Sequence, residues 1–261
     1  MKKYDRWNAL MELLAAHGQI DIDQAAGELG VSSATIRRDL DELTSQQMLV
    51  RTRGGAVAHS VSYDLPLRYK TARHASEKQR IAAAAAAMVP PDAIVGLTGG
   101  TTTTEVGRAL GTRTDLRSDT GPVEFTIVTN ALNIANELAV RSNLKIVTTG
   151  GVLRPQSYEL IGPFATGVLS EVTLDIAFIG VDGIDPVRGA TTQHEGEALI
   201  NRLMAEHANR VVAVADASKI GRRAFARICM LDRIETFITD TAATDEAVQP
   251  LIDAGVRVLR V

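Results

Sequence analysis

Two sets of residues in this chain have types and spacings that could do chemistry. The first is basic and hydroxylic: Ser33, Thr35, Arg37 and Arg38 in one short stretch, with Arg51 and Arg53 a little further on. Arginine can grip a guanine edge through two hydrogen bonds or hold a phosphate, and serine and threonine hydroxyls contact either, so this set suits a DNA duplex. The second set is a series of polar loops, each following an apolar run. In Thr98-Gly99-Gly100-Thr101-Thr102-Thr103-Thr104, glycines let backbone amides approach an anion, and threonine hydroxyls add donors at a helix start. Thr129-Asn130, Thr149-Gly150-Gly151 with Arg154, Asp182-Gly183 and Asp216-Ala217-Ser218-Lys219 follow other such runs. Gathered on one edge, these loops would join anion donors with carboxylates suited to sugar hydroxyls. That chemistry points to a phosphorylated sugar or polyol as ligand, with no cofactor.

Other chemistries lack their motifs. His194, Glu195, Glu197 and His207 are read as helix-surface or capping residues, because the histidines are far apart and no compact metal-ligand motif joins them. No nucleophile elbow, Walker loop or dinucleotide fingerprint occurs, and Gly96-Leu97-Thr98-Gly99-Gly100 lacks the required glycine spacing. The single Cys229 cannot form an intramolecular disulfide and reads as buried packing. A reducing, cytoplasmic setting is expected, with no membrane-spanning segment. Net charge is −3, so any DNA contact must come from a local basic patch rather than from the whole molecule.

The elements that would hold these residues follow from periodicity. Leu10, Leu13 and Leu14 fall at helical spacing in a first helix that Gly18 stops. Asp23 is placed to cap a second, short helix ending at Gly30, and Ser32 or Ser33 to cap a third in which Ile36, Leu40 and Leu43 share a face. Two short helices about a Gly-containing turn read as helix-turn-helix. Met48–Arg53, a Gly54-Gly55 turn and Ala56-Val57-Ala58 then read as a wing. Residues 59–74 suit a linker. Beyond them Ala93–Leu97, Phe125–Val128, Leu144–Val147, Ile176–Ile179, Val211–Ala215, Thr236–Ile238 and Val256–Val261 alternate with helical stretches, as in a mainly parallel sheet covered by helices. The domains are thus expected at 1–58 and 75–261.

The stretch Val31-Ser32-Ser33-Ala34-Thr35-Ile36-Arg37-Arg38-Asp39-Leu40-Asp41-Glu42-Leu43, followed by Leu49-Val50-Arg51-Thr52-Arg53-Gly54-Gly55-Ala56, closely resembles the signature of the DeoR family of repressors. The resemblance extends over nearly the whole chain. It implies an α/β protein, with an N-terminal winged helix-turn-helix and a sugar-phosphate sensor domain similar in fold to ribose-phosphate isomerases. It further places Gly100, Thr101, Thr102, Asn130, Gly150, Gly151, Asp182 and Lys219 at effector-site positions. Two departures stand out: the family usually has histidine where this chain has Arg53, and commonly an acidic residue where it has Thr98. The expected function is a transcription regulator, a repressor of sugar or polyol genes whose operator affinity is set by a phosphorylated sugar. Palindromic or repeated operator half-sites would be read by a homodimer or homotetramer. The alternative is an isomerase-like enzyme with an accessory DNA-binding domain, using Asp182 as acid or base and Lys219 on the phosphate.

Overall fold

Trp7, Leu10, Met11 and Leu14 recur at helical spacing, and that stripe is the buried face of the first helix, α1 (Lys3–His17). The structure is a computed structural model describing residues 3–45, 49–57, 74–113, 125–141 and 144–261. It divides into two compact units, Met1–Arg73 and His74–Val261. Most of the residues expected to form a linker, 59–73, lie outside the described residues, as do Met48 and Ala58 of the expected wing.

In the first unit α1 leads into a short strand β1 (Gln19–Asp21), which sequence reading did not anticipate, and then α2 (Ile22–Leu29) and α3 (Ser33–Ser45). The cap of α2 is Asp21, not Asp23: its carboxylate accepts from the Asp23 and Gln24 amides at 2.9 and 3.0 Å. Asp23 instead ties the two helices together by accepting from the Ser33 hydroxyl at 2.8 Å. Ile36, Leu40 and Leu43 seat α3 on the core. The wing is β2 (Val50–Arg51) and β3 (Gly55–Val57), with β3 in the middle of an antiparallel sheet ordered β1-β3-β2.

The second unit opens with α4 (Ala75–Ala87), β4 (Ile94–Leu97), α5 (Thr101–Thr112), β5 (Phe125–Thr129), α6 (Leu132–Leu138), β6 (Leu144–Thr148), β7 (Val152–Arg154) and β8 (Glu159–Ile161). It continues with α7 (Thr166–Ser170), β9 (Leu174–Gly180), β10 (Gly183–Asp185), β11 (Gly189–Thr192), α8 (Glu195–Glu206), β12 (Ala208–Val214), β13 (Ala226–Cys229), β14 (Thr236–Thr239), α9 (Asp245–Asp253) and β15 (Arg257–Arg260). Seven strands form one sheet, ordered β15-β14-β12-β9-β4-β5-β6 and parallel at every pairing. Each apolar run expected to be a core strand is one of these. Alternation along β9 shows why both faces are covered: Ile176 and Phe178 enter one buried cluster with α4 and α5, while Ala177 and Ile179 enter another with α8. The alanines of α4 bury Ala82, Ala85 and Ala86, so this run is a tightly packed helix. The short antiparallel ribbons β7-β8 and β10-β11-β13 stand outside the main sheet.

Cys229 is half-buried, and burial pushes its thiol up to about 11 from 9.0. Its thiolate at neutral pH is therefore about a hundredfold scarcer than that of an exposed cysteine. Iodoacetamide is expected to label Cys229 at neutral pH far more slowly in the native chain than in urea. Equal rates would contradict that burial.

Candidate functional site

In the first unit α3 presents Arg37 and Arg38 to solvent on the side away from Ile36 and Leu40, and Arg53 is exposed in the turn of the wing. None of the three forms an ion pair among the described residues. The other residues expected at this surface do structural work. Ser33 bonds Asp23, and Thr35 packs its hydroxyl 2.9 Å from that of Ser32, which also accepts the Thr35 amide. Arg51 is half-buried; it bonds Asp41 at 2.8 Å and the Gly55 carbonyl at 2.5 Å, bracing the wing against α3. The phosphate-holding role expected of Arg51 thus competes with an internal one, since two of its donors are already engaged.

Asp39, whose acid lies between the exposed arginines and the buried leucine, was not singled out by its sequence. It is 2% exposed, pairs with the Arg6 guanidinium, and accepts from the Trp7 indole N–H at 3.0 Å. A carboxylate beneath the helix thus anchors α3 to α1. The Arg6 guanidinium is held more firmly charged by that bond to Asp39.

In the second unit the parallel sheet delivers the carboxyl ends of β12, β9, β4, β5 and β6 to one edge, in that order. The order reverses between β4 and β9, which is where open α/β sheets form their crevice. Thr98 pins that point: it is wholly buried, and its hydroxyl oxygen accepts the Gly180 amide at 3.0 Å. Its side chain is therefore spent on the sheet rather than turned toward a ligand.

The Gly99–Thr103 loop is more heavily committed than its composition suggests. The Gly99 amide donates to Asn130 Oδ1 at 3.2 Å, and the Thr103 and Thr104 hydroxyls donate to the Gly100 carbonyl at 3.0 and 2.7 Å. The Gly99 amide and the Thr103 hydroxyl, both expected as ligand donors, are thus bound internally. Gly100 has φ of +133°, which only glycine adopts without strain, and the first intrahelical bond of α5 runs from the Thr104 amide to its carbonyl. The amides of Thr101, Thr102 and Thr103 in the first turn therefore lack helical acceptors. The Thr129 hydroxyl accepts the Ala131 amide at 3.0 Å, and Gly150 and Gly151 form the turn into β7. These two positions shape the edge more than they donate to it.

Arg154, Asp182 and Lys219 do come together, through residues that sequence reading passed over. Arg154 on β7 bonds Glu197 Oε1 at 3.2 Å, and the Thr192 hydroxyl lies 3.0 Å from Asp182 Oδ2 and 3.3 Å from Glu197 Oε2. Asp182 also accepts the Gln193 amide at 3.2 Å and lies 3.7 Å from the Lys219 ammonium. Glu197 is therefore a buried member of this cluster and not a helix-surface or capping residue; His194 is the cap, accepting the Gly196 amide on Nδ1 at 3.1 Å. Glu195 is exposed, and His207 ends α8. Burial alone would raise the Asp216 carboxyl, yet bonds from Ser218 and the charges of Lys219 and His74 hold it below its usual range.

Glu159 on β8 is the second residue missed. It is 4% exposed and accepts from Asn130 Nδ2 at 2.9 Å, so Asn130 bridges the Gly99 amide and this carboxyl. Burial, then the charges of Glu197 and Asp182, push it well above the usual carboxylate range against the opposing Asn130 bond and Arg154 charge. A lone glutamate between Tyr158 and two apolar residues gave little signal in the sequence. Among the described residues no group of His, Cys, Asp and Glu is arranged to hold a metal.

A basic helix face on a winged helix-turn-helix, joined in one chain to a parallel α/β sheet with a polar edge, defines a two-unit DNA-binding regulator. The DeoR-like helix-turn-helix domain matches residues 6–61, and the DeoR C terminal sensor domain matches residues 73–241. The chain belongs to the DeoR family of transcription regulators. It is 32% identical over 253 residues to the glycerol-3-phosphate regulon repressor of Escherichia coli (strain K12), covering 97% of each. It is 34% identical over 258 residues to an HTH-type transcriptional regulator of Haloferax volcanii, covering 98% of this chain and 96% of that protein. Among solved structures, ribose 5-phosphate isomerase A of Methanocaldococcus jannaschii is 21% identical, with a TM-score of 0.41 over 56% of this chain and 54% of its own. Membership in a family of regulators removes the isomerase alternative: the chain is not an enzyme. No helix among the described residues is long and apolar enough to cross a membrane.

Proposed function

We propose that this regulator is a repressor of sugar or polyol genes whose operator affinity is set by a phosphorylated sugar or polyol in the crevice beyond β4, β5 and β9. The observation that carries the reading is a helix start at Thr101–Thr103 without helical acceptors, whose loop rests on Glu159, on which the charges of Glu197, Asp182 and Arg154 act, with Lys219 3.7 Å from Asp182. The helix start suits the phosphate, because its amides and dipole favour negative charge. The carboxylates, already bonding one hydroxyl at Thr192, suit the hydroxyls of a sugar. The repressor named for the glycerol-3-phosphate regulon, similar over its full length, supports a phosphorylated effector. Calorimetry on the full chain with a panel of sugar and polyol phosphates and their dephosphorylated forms is the test. Phosphorylated forms are expected to bind about tenfold or more tightly, as charge-assisted bonds to the phosphate would give. Equal affinity for both forms would overturn the reading.

Operator DNA, read as palindromic or repeated half-sites by a homodimer or homotetramer, is the proposed partner of the first unit. Arg37 and Arg38 are its proposed base- or phosphate-reading residues, and Arg53 a phosphate contact. Alanine at a base-reading arginine is expected to cost about 1 to 3 kcal/mol at the cognate base, whereas Arg53→Ala should lower the salt slope by about one and leave sequence preference intact. Titrations of operator binding at several salt concentrations distinguish these. Unchanged affinity and slope in all three variants would remove this surface.

A further inference from the structure

Glu159 lies against the backbone of the loop that leads into α5. A Cβ built on Gly99 would lie 2.2 Å from Glu159 Cγ and 2.4 Å from Oε1, so the carboxyl rests directly on the Gly99 backbone. It is held there by a bond from Asn130 to Glu159 and by an isolated bridge between Ala131 and Glu159. The ionisable groups acting on it are Glu197 on α8, Asp182 after β9 and Arg154 on β7, with Lys219 beyond Asp182. His194, at the start of α8, is occupied by the Gly196 amide. Arg154 is shared with Glu197, and Glu197 and Asp182 add negative charge from two further elements. An ionised Glu159 therefore sets a desolvated negative charge against the loop that leads into α5, where an anion would sit.

We infer that Glu159 makes this crevice proton-coupled: an anion settles at the start of α5 only with a proton on the Glu159 carboxyl, taken up from solvent wherever the unliganded protein has lost it. The inference rests on reading that helix start as an anion site. The balance is simple: protein, dianion and one proton give the complex, with no bond made or broken other than the carboxyl O–H. Burial beside like charges already favours the neutral acid, and a dianion beside it favours that form further. Ligand affinity must then fall as pH rises through the range in which the unliganded protein loses this proton. The limit is about tenfold per pH unit.

Inorganic sulfate is the probe, because it carries the geometry of a phosphate but does not itself titrate near neutral pH. Calorimetry in buffers of different ionisation heat counts the protons taken up by the full chain. The expected result is uptake that climbs toward one proton, and sulfate affinity that falls, as pH rises through the range in which the unliganded protein loses the Glu159 proton. Glu159→Gln, which keeps the shape and can still bond Asn130, is expected to bind sulfate with no uptake and a flat pH profile. His194→Asn keeps a helix cap and removes the nearby imidazole, and is expected to leave the wild-type profile in place. Sulfate binding without proton uptake at every pH at which the chain stays folded, or a profile that follows His194 instead of Glu159, overturns the proposal alone. No sulfate binding at any pH in either protein overturns the anion site itself and this inference with it.

Discussion

Asp39→Ala is expected to destabilise the first unit by about 3 to 5 kcal/mol, the range for removing one partner of a buried ion pair. Asp39 is 2% exposed and receives both the Arg6 guanidinium and the Trp7 indole. Alanine leaves both without this acceptor and opens space beneath α3, so two costs add: an uncompensated cation and a void. Asp39→Asn keeps an acceptor for Trp7 but loses the charge, and should fall between alanine and wild type. Trp7 is the single tryptophan of the chain, so its fluorescence reports unfolding of this unit and not of the sensor. Urea titration followed at Trp7 is the measurement. An alanine variant that unfolds at the wild-type midpoint would show that the anchor of α3 to α1 lies elsewhere. Loss of operator binding should accompany the destabilisation, since α3 carries Arg37 and Arg38.

The second large effect is expected at Gly99. Alanine there would drive a Cβ to 2.2 and 2.3 Å from the Cγ and Cδ of Glu159, distances that no settled structure tolerates. Either the loop or β8 must shift, and overpacking of this kind costs about 1 to 3 kcal/mol. Felt at the ligand site, that corresponds to roughly a 5- to 150-fold loss of affinity for a phosphorylated ligand. The cause can be isolated, because the three atoms nearest the added methyl all belong to Glu159. A Glu159→Ala background removes those three atoms, so Gly99→Ala is expected to cost less there. A double-mutant cycle in ligand affinity should therefore show strong coupling between the two positions. Additive losses would mean that Gly99 matters for its own backbone and that the carboxyl is a bystander.

These two residues also mark where the sequence ceases to be legible. The five inner strands of the sheet could be read because each is a largely apolar run, as burial on both faces requires, and the edge strands β6 and β15 because valine, leucine and isoleucine still dominate their centres. The helix-turn-helix could be read because Ile36, Leu40 and Leu43 repeat at helical spacing. Asp39 and Glu159 defeat the same reasoning, since a buried carboxylate is justified only by partners distant in the chain: Arg6 in one case, Asn130 in the other. Glu197 looked like part of a solvated helix start until β7 brought Arg154 to it. The misplaced cap has a local origin, because Asp21 and Asp23 are both good capping residues and β1 ends at the first of them. The ribbons β7-β8 and β10-β11-β13 are too short to show a period. The Gly-Thr-rich loop was recognised as a helix start, but composition could not show which of its donors its own backbone and Asn130 consume.

Under the proposed function, occupancy of the crevice in the second unit changes how the first unit holds DNA. A ligand can do this only through its different affinities for two states of the protein, and the effect must be reciprocal. Selection from a random duplex pool supplies an operator, and the sugar or polyol phosphate that binds most tightly in calorimetry supplies the ligand. Operator affinity is then measured with and without saturating ligand, and ligand affinity with and without operator. Coupling of about 1 to 3 kcal/mol, a roughly 5- to 150-fold change, is expected, with operator affinity falling and the same factor in both directions. A ligand that binds the second unit and leaves operator affinity unchanged would contradict the account, even if each site proved real on its own.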